Sequence, residues 1–165
     1  MTARTFAPWV EPVAAELRET RSQIVRKANQ IPDEVWALPS PLPEWSYKDL
    51  LAHLATGDWV CHIILRTIMA NEVLDLGTVA NLDWVARGNA ERLAERKGRP
   101  AQALIAEVRT RSEETQELLG QLTDADEERT QEGAPMTLGQ YLKGFPGHDR
   151  DHLAQLETAL QNVML

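Results

Sequence analysis

Every long segment of this 165-residue chain repeats its apolar residues at helical spacing, and none shows the two-residue alternation of a half-buried strand. Over residues 8–30, Val10, Val13, Ala14, Leu17, Ile24, Val25 and Ala28 share one helical face, with Glu11, Glu16, Arg18, Glu19 and Arg26 opposite. Pro32, Pro39, Pro41 and Pro43 then forbid regular helix over 31–45, because each removes a backbone donor and restricts the residue before it. This stretch is expected to be an ordered connector, pinned by Trp36 and Trp45. The helical pattern resumes at Ser46, an N-cap candidate with Asp49 three residues on, and runs to residue 70. A turn is expected over 71–78 with Gly77 as breaker, and a third helix over 79–96. Gly98 is the expected C-cap there, and Pro100 the first residue of a further helix carrying Leu104, Ile105, Val108 and Leu119. Residues 123–135 are acidic and read as a surface loop. Thr137 caps a last helix, which Pro146 should kink or split. The pattern therefore predicts an all-α fold: a four-helix up-and-down bundle with an additional short helix or connector, forming a single domain over residues 1–165.

Charge and cysteine usage narrow the function classes. With 17 basic against 25 acidic residues the formal charge is −8, and no stretch gathers Lys or Arg on one face, which argues against nucleic acid as a partner. No apolar run approaches the roughly 18 residues of a membrane span, and the N-terminus lacks a signal-peptide core, so no membrane partner is expected. The single cysteine, Cys61, fits a reducing cytoplasm.

The chemistry-bearing stretch is Gly147-His148-Asp149-Arg150-Asp151-His152. On a helix, His148 and His152 at i and i+4 stand one above the other, so both imidazoles can face one metal ion or both can be solvated. His53 falls on the inward stripe with Leu50, Leu54, Gly57, Cys61 and Ile64, where a histidine either hydrogen-bonds a neighbour or serves as a ligand. If the last helix runs parallel to the second, comparable depths bring His53 level with the pair. His62, nine residues on and about 180 degrees round the helix at about 100 degrees per residue, stays outside the site. Asp149 and Asp151 flank the pair and read as a solvated helix face, with Asp151 the alternative orienting partner of His148.

Trp45-Ser46-x-Lys48-Asp49-Leu50-Leu51-x-His53-Leu54, followed by His148-Asp149-x-x-His152-x-x-Gln155-Leu156, resembles the DinB-like family of metalloenzymes. Its members include bacillithiol-dependent transferases and the metal-binding domain of mycothiol-dependent maleylpyruvate isomerase. The resemblance implies a four-helix bundle, frequently a homodimer, holding one divalent metal ion (zinc, nickel or iron) through three histidines that match His53, His148 and His152 here. It also implies a low-molecular-weight thiol as cosubstrate. Gly57, Tyr141, Gly144 and Gln155 are the candidate pocket residues; Gly57 and Gly144 each lie one turn from a ligand histidine and either leave room for substrate or allow close helix packing.

Two function classes follow. One is a metal-dependent enzyme, a thiol S-transferase or small hydrolase acting on an electrophilic small molecule, for which the residues name no catalytic base. The other is a non-catalytic bundle that binds a metal or small molecule in a stress response.

Overall fold

The computed structural model describes residues 5–57, 59–70, 72, 81–130 and 136–161. Its helices are α1 (Glu11–Ala28), α2 (Tyr47–Leu54), α3 (Trp59–Met69), α4 (Leu82–Arg96), α5 (Ala101–Leu119) and α6 (Leu138–Gln161), with single 3-10 turns at Asp33–Val35 and Asp124–Asp126. Among the described residues there is no strand, only an isolated bridge between Pro39 and Ser46, so the fold is an all-α bundle. The predicted turn at Gly77 and the expected helix start at residue 79 lie outside the described residues. Within them α4 begins at Leu82, where the Asn81 side chain accepts from the N–H groups of Asp83 and Trp84.

The core has two parts. Ile24, Leu50, Leu51, Leu104, Ile105 and Leu156 belong to one cluster, and Val10, Leu17, Ile64, Leu65, Leu119 and Leu142 to the other. Each fully buried aliphatic side chain contributes roughly 1.5–3 kcal/mol to folding. Following the chain through these clusters gives the helix directions. α1 and α6 pass from the second cluster to the first, whereas α2 with α3, and α5, pass from the first to the second. Cross-contacts agree, since Tyr47 meets Thr158 while His53 meets His148 and His152. α2 and α6 are thus antiparallel, contrary to the parallel run assumed for comparing depths. α4 is the crossover that lets α3 and α5 run the same way, one of the longer connections that bundles accommodate.

The second predicted helix is two. Ser46 makes the expected capping box, its Oγ accepting from the Asp49 N–H at 3.1 Å while Asp49 Oδ2 accepts from the Ser46 N–H at 2.9 Å. α2 stops after Leu54, because Gly57 adopts φ 63° and the backbone turns there. A Cβ on Gly57 would lie 2.4 Å from Arg111 Cβ, so only glycine admits this approach to α5.

Two local expectations are corrected. Pro100 is the N-cap of α5, with ψ 152°, not its first helical residue, and Lys97 rather than Gly98 caps α4. Pro146 sits inside α6 without splitting it, and the buried face from Leu138 to Ala159 packs along α1 despite the lost donor. Residues 123–130 lie at the surface as expected, with a 3-10 turn at Asp124–Asp126, and residues 131–135 of the expected loop lie outside the described residues. The Glu127 and Arg129 carbonyls accept from the N–H groups of Gly139 and Leu138, satisfying donors that the first turn of α6 would otherwise leave open, and Thr137 with Gln140 caps the same turn as expected.

Candidate metal centre

His53 lies in the last turn of α2, and His148 and His152 one turn apart on α6. Their ring centroids are 5.5 Å (His53–His148), 4.9 Å (His53–His152) and 4.3 Å (His148–His152) apart. The candidate donor atoms all lie within 4.8 Å of one another, and Nε2 of His148 is 3.1 Å from Nε2 of His152. Two nitrogens bound at about 2.0–2.1 Å to one zinc ion stand about 2.8–3.4 Å apart at angles from square to tetrahedral, so the α6 pair already has the spacing of co-ligands. The His53 ring rests against Trp45, with 5.2 Å between centroids.

Hydrogen bonds set the orientation of the α6 histidines. Gln155 Oε1 accepts from His152 Nδ1 at 2.7 Å, which leaves the lone pair of a neutral His152 on Nε2, facing His148. Gln155 thus orients the His152 ring, and it is not among the residues that line the cavity beside the cluster. Behind His148, Asp149 is 2% exposed, and its Oδ1 stands 3.5 Å from His148 Nδ1. Its Oδ2 takes the Arg21 Nε at 2.7 Å, and Arg21 Nη1 donates to Thr115 Oγ1 at 2.6 Å, which also meets His62 Nε2 at 2.8 Å. The solvated reading of Asp149 is therefore corrected: it anchors a buried polar layer between the two core clusters, while Asp151 is the exposed one. His62 belongs to this layer, although the continuous helix on which its angle from His53 was reckoned is broken at Gly57.

A cavity of about 500 Å³ opens beside the cluster, with His53 and His148 in its wall. Tyr141 and Gly144 line it; Gly57 borders instead a void of about 10 Å³ shared with Arg21 and Asp149, room for about one water. The opposite wall comes from α3 and α4: Trp59, Val60, Val85 and Asn89. Trp59 is held by a bond from its Nε1 to Asn89 Oδ1 (2.9 Å), by Trp84 (4.9 Å between centroids) and by the Arg92 guanidinium 3.8 Å over its ring. Burial against that ring is the first cause holding the Arg92 pKa below the usual arginine value. Gly88 permits the contact, since a Cβ there would lie 2.5 Å from the Trp59 ring. Sequence reasoning missed this wall and Arg21. The one available signal for Arg21 was its place on the apolar stripe of α1, one turn past Leu17.

An all-α bundle with a three-histidine cluster at a cavity, His148 on its exposed side, is the architecture of a metal-binding helical domain. Residues 17–147 match the family model described as the mycothiol maleylpyruvate isomerase N-terminal domain, and the chain belongs to that family. The matched region contains His53 and ends one residue before His148, so the α6 pair stands on its geometry. The bundle is also similar to a solved structure, the colibactin self-resistance protein ClbS in complex with a dsDNA, with a TM-score of 0.72 over 92% of this chain and 94% of that one at 11% identity. No curated protein matches the sequence. The ClbS complex overturns the expectation that nucleic acid is excluded: a bundle of this fold takes a duplex, and a net charge of −8 summed over the whole chain says nothing about one local face. No helix among the described residues is long and apolar enough to cross a membrane.

Proposed function

We propose that the chain is a divalent-metal-dependent enzyme, a thiol S-transferase or small hydrolase, acting on an electrophilic small molecule, with His53, His148 and His152 holding the ion. The observation that carries this reading is the 3.1 Å approach of the two Nε2 atoms on α6, with His53 closing the cluster at the wall of a cavity of about 500 Å³. When bound, a divalent ion supplies Lewis acidity, which activates water or a thiol at neutral pH; imidazole ligands suit zinc, nickel or iron. The chain's own part is to orient and to enclose. Gln155 aims His152, Asp149 backs His148, and the walls of α3, α4 and α6 shelter a substrate beside the histidines.

A low-molecular-weight thiol as cosubstrate belongs to the same reading, supported by the mycothiol named in the family description. So does work in a reducing cytoplasm, where the one cysteine, Cys61, buried at 1% exposure, would stay a thiol. The test is to load the protein with zinc, nickel or iron and follow conjugation of a model thiol to a model electrophile, beside hydrolysis of an activated ester. Turnover that appears with metal and vanishes on chelation is expected; turnover indifferent to metal would defeat the proposal.

A second reading, contact with duplex DNA, is favoured by the ClbS complex. Fluorescence anisotropy with a labelled duplex tests it: binding that weakens linearly on a log–log plot against salt supports phosphate contacts, and no binding at low salt removes the reading.

A further inference from the structure

The cavity beside the histidines carries more than apolar walls. Trp59, Val85, Tyr141 and Phe145 supply its body, and two amides, Asn89 and Gln140, are its uncharged polar side chains apart from the histidines and the Tyr141 hydroxyl. Both amides have their oxygens taken by groups that can only donate. Asn89 Oδ1 accepts from the Trp59 indole N–H at 2.9 Å, and Gln140 Oε1 accepts from the Thr137 backbone N–H at 2.9 Å. Because indole and backbone N–H never accept, these bonds assign which end of each amide is oxygen, and the NH₂ groups are what remains to meet a ligand. Among the described residues no Asp, Glu, Lys or Arg lines the cavity. In the metal-free protein a carboxylate-bearing ligand would give up its hydration there without a Lys or Arg to pair with, and an ammonium without an Asp or Glu.

We infer that the cavity receives an aromatic or largely apolar electrophile through a carbonyl-type hydrogen-bond acceptor held by the NH₂ groups of Asn89 and Gln140, and that without the ion it discriminates against charged ligands. This rests on the reading of the site as a substrate pocket, and it makes Asn89 and Gln140 specificity-determining residues. A volume of about 500 Å³ has room for one such molecule reaching from the amides to His53 and His148.

Probe binding to the metal-free protein, read by quenching of tryptophan fluorescence, separates this inference from the metal chemistry. Acetophenone, isopropylbenzene, benzoate and benzylammonium share a ring and differ in acceptor and charge. Acetophenone should bind tightest, with benzoate and benzylammonium at least about tenfold weaker. Asn89→Asp and Gln140→Glu keep the oxygen that accepts from Trp59 or Thr137 and replace the NH₂ with an acceptor, so each should still fold and should weaken acetophenone about threefold to tenfold. Isopropylbenzene should not distinguish the variants from the parent. Benzoate binding as well as acetophenone, or acetophenone affinity unchanged in both variants, overturns the inference. Selective acetophenone binding by a chain that takes up no metal would leave the pocket assignment standing and remove the enzyme reading instead.

Discussion

Gln155 and Asp149 show how much of a histidine's behaviour is set by what stands behind it. Gln155 Oε1 holds the proton of His152 on Nδ1, so Gln155→Leu should free the ring to rotate and to exchange tautomers, lowering metal affinity about 10–100-fold in competition with a chromophoric chelator. The Arg21–Asp149 pair is buried on both sides, at 6% and 3% side-chain exposure. Removing Arg21 alone, as Arg21→Met, leaves a buried carboxylate without its cation and should cost about 3–5 kcal/mol in urea unfolding; the double change Arg21→Met with Asp149→Leu should recover most of that, since apolar replacement of a whole buried pair is often neutral. A double variant no more stable than the single would show that the pair is not one coupled unit. At this scale His148 and His152 were legible from i, i+4 spacing alone, because both lie on one helix. Arg21 was not, since an arginine among apolar residues of a stripe gives no sign that its partner sits on α6.

The elements were read well where their ends carry local chemistry. Ser46 with Asp49, and Thr137 with Gln140, are bonded as their spacing predicts, and Ser46→Ala should cost about 1 kcal/mol in thermal or urea unfolding. The break at Gly57 was not read, because one glycine in an apolar helical run also fits close packing, and only the neighbouring α5 backbone decides which. Gly57→Ala would meet both the positive φ of 63° and Arg111 Cβ at 2.4 Å, so it should destabilise by about 1–3 kcal/mol or more, and a stability equal to the parent would contradict the account of this turn. The turn before α6 has its own pH signature. Burial pushes the Asp126 carboxyl up, but the N–H and hydroxyl of Thr123 and the Arg129 guanidinium outweigh it, leaving the pKa below the ordinary 3.8. A lowered folded pKa means stability that is fully present above 3.8 and lost as pH falls through the folded value. Asp126→Asn should therefore be less stable than the parent at neutral pH, with the difference shrinking below pH 3.8 in pH-resolved thermal unfolding.

At the scale of the whole molecule, the all-α class follows from period and proline placement, whereas the cavity follows from helix directions that no local pattern encodes. Trp59, Val85 and Asn89 become one wall only because α2 ends at Gly57 and α4 crosses to bring α3 and α5 into the same direction. Two core clusters of ordinary aliphatic packing hold this bundle, so the fold should persist without metal. Chelation should leave helicity by circular dichroism nearly unchanged while lowering stability by the linkage term, about 3–4 kcal/mol when free metal exceeds its dissociation constant several-hundredfold. The central claim, that His53, His148 and His152 jointly hold one divalent ion, is tested most directly by elemental analysis of the purified parent and of His53→Ala, His148→Ala and His152→Ala. The account predicts about one ion per chain in the parent and a loss in each variant with the helical signal retained; a parent without metal after loading, or full occupancy in all three variants, would contradict it.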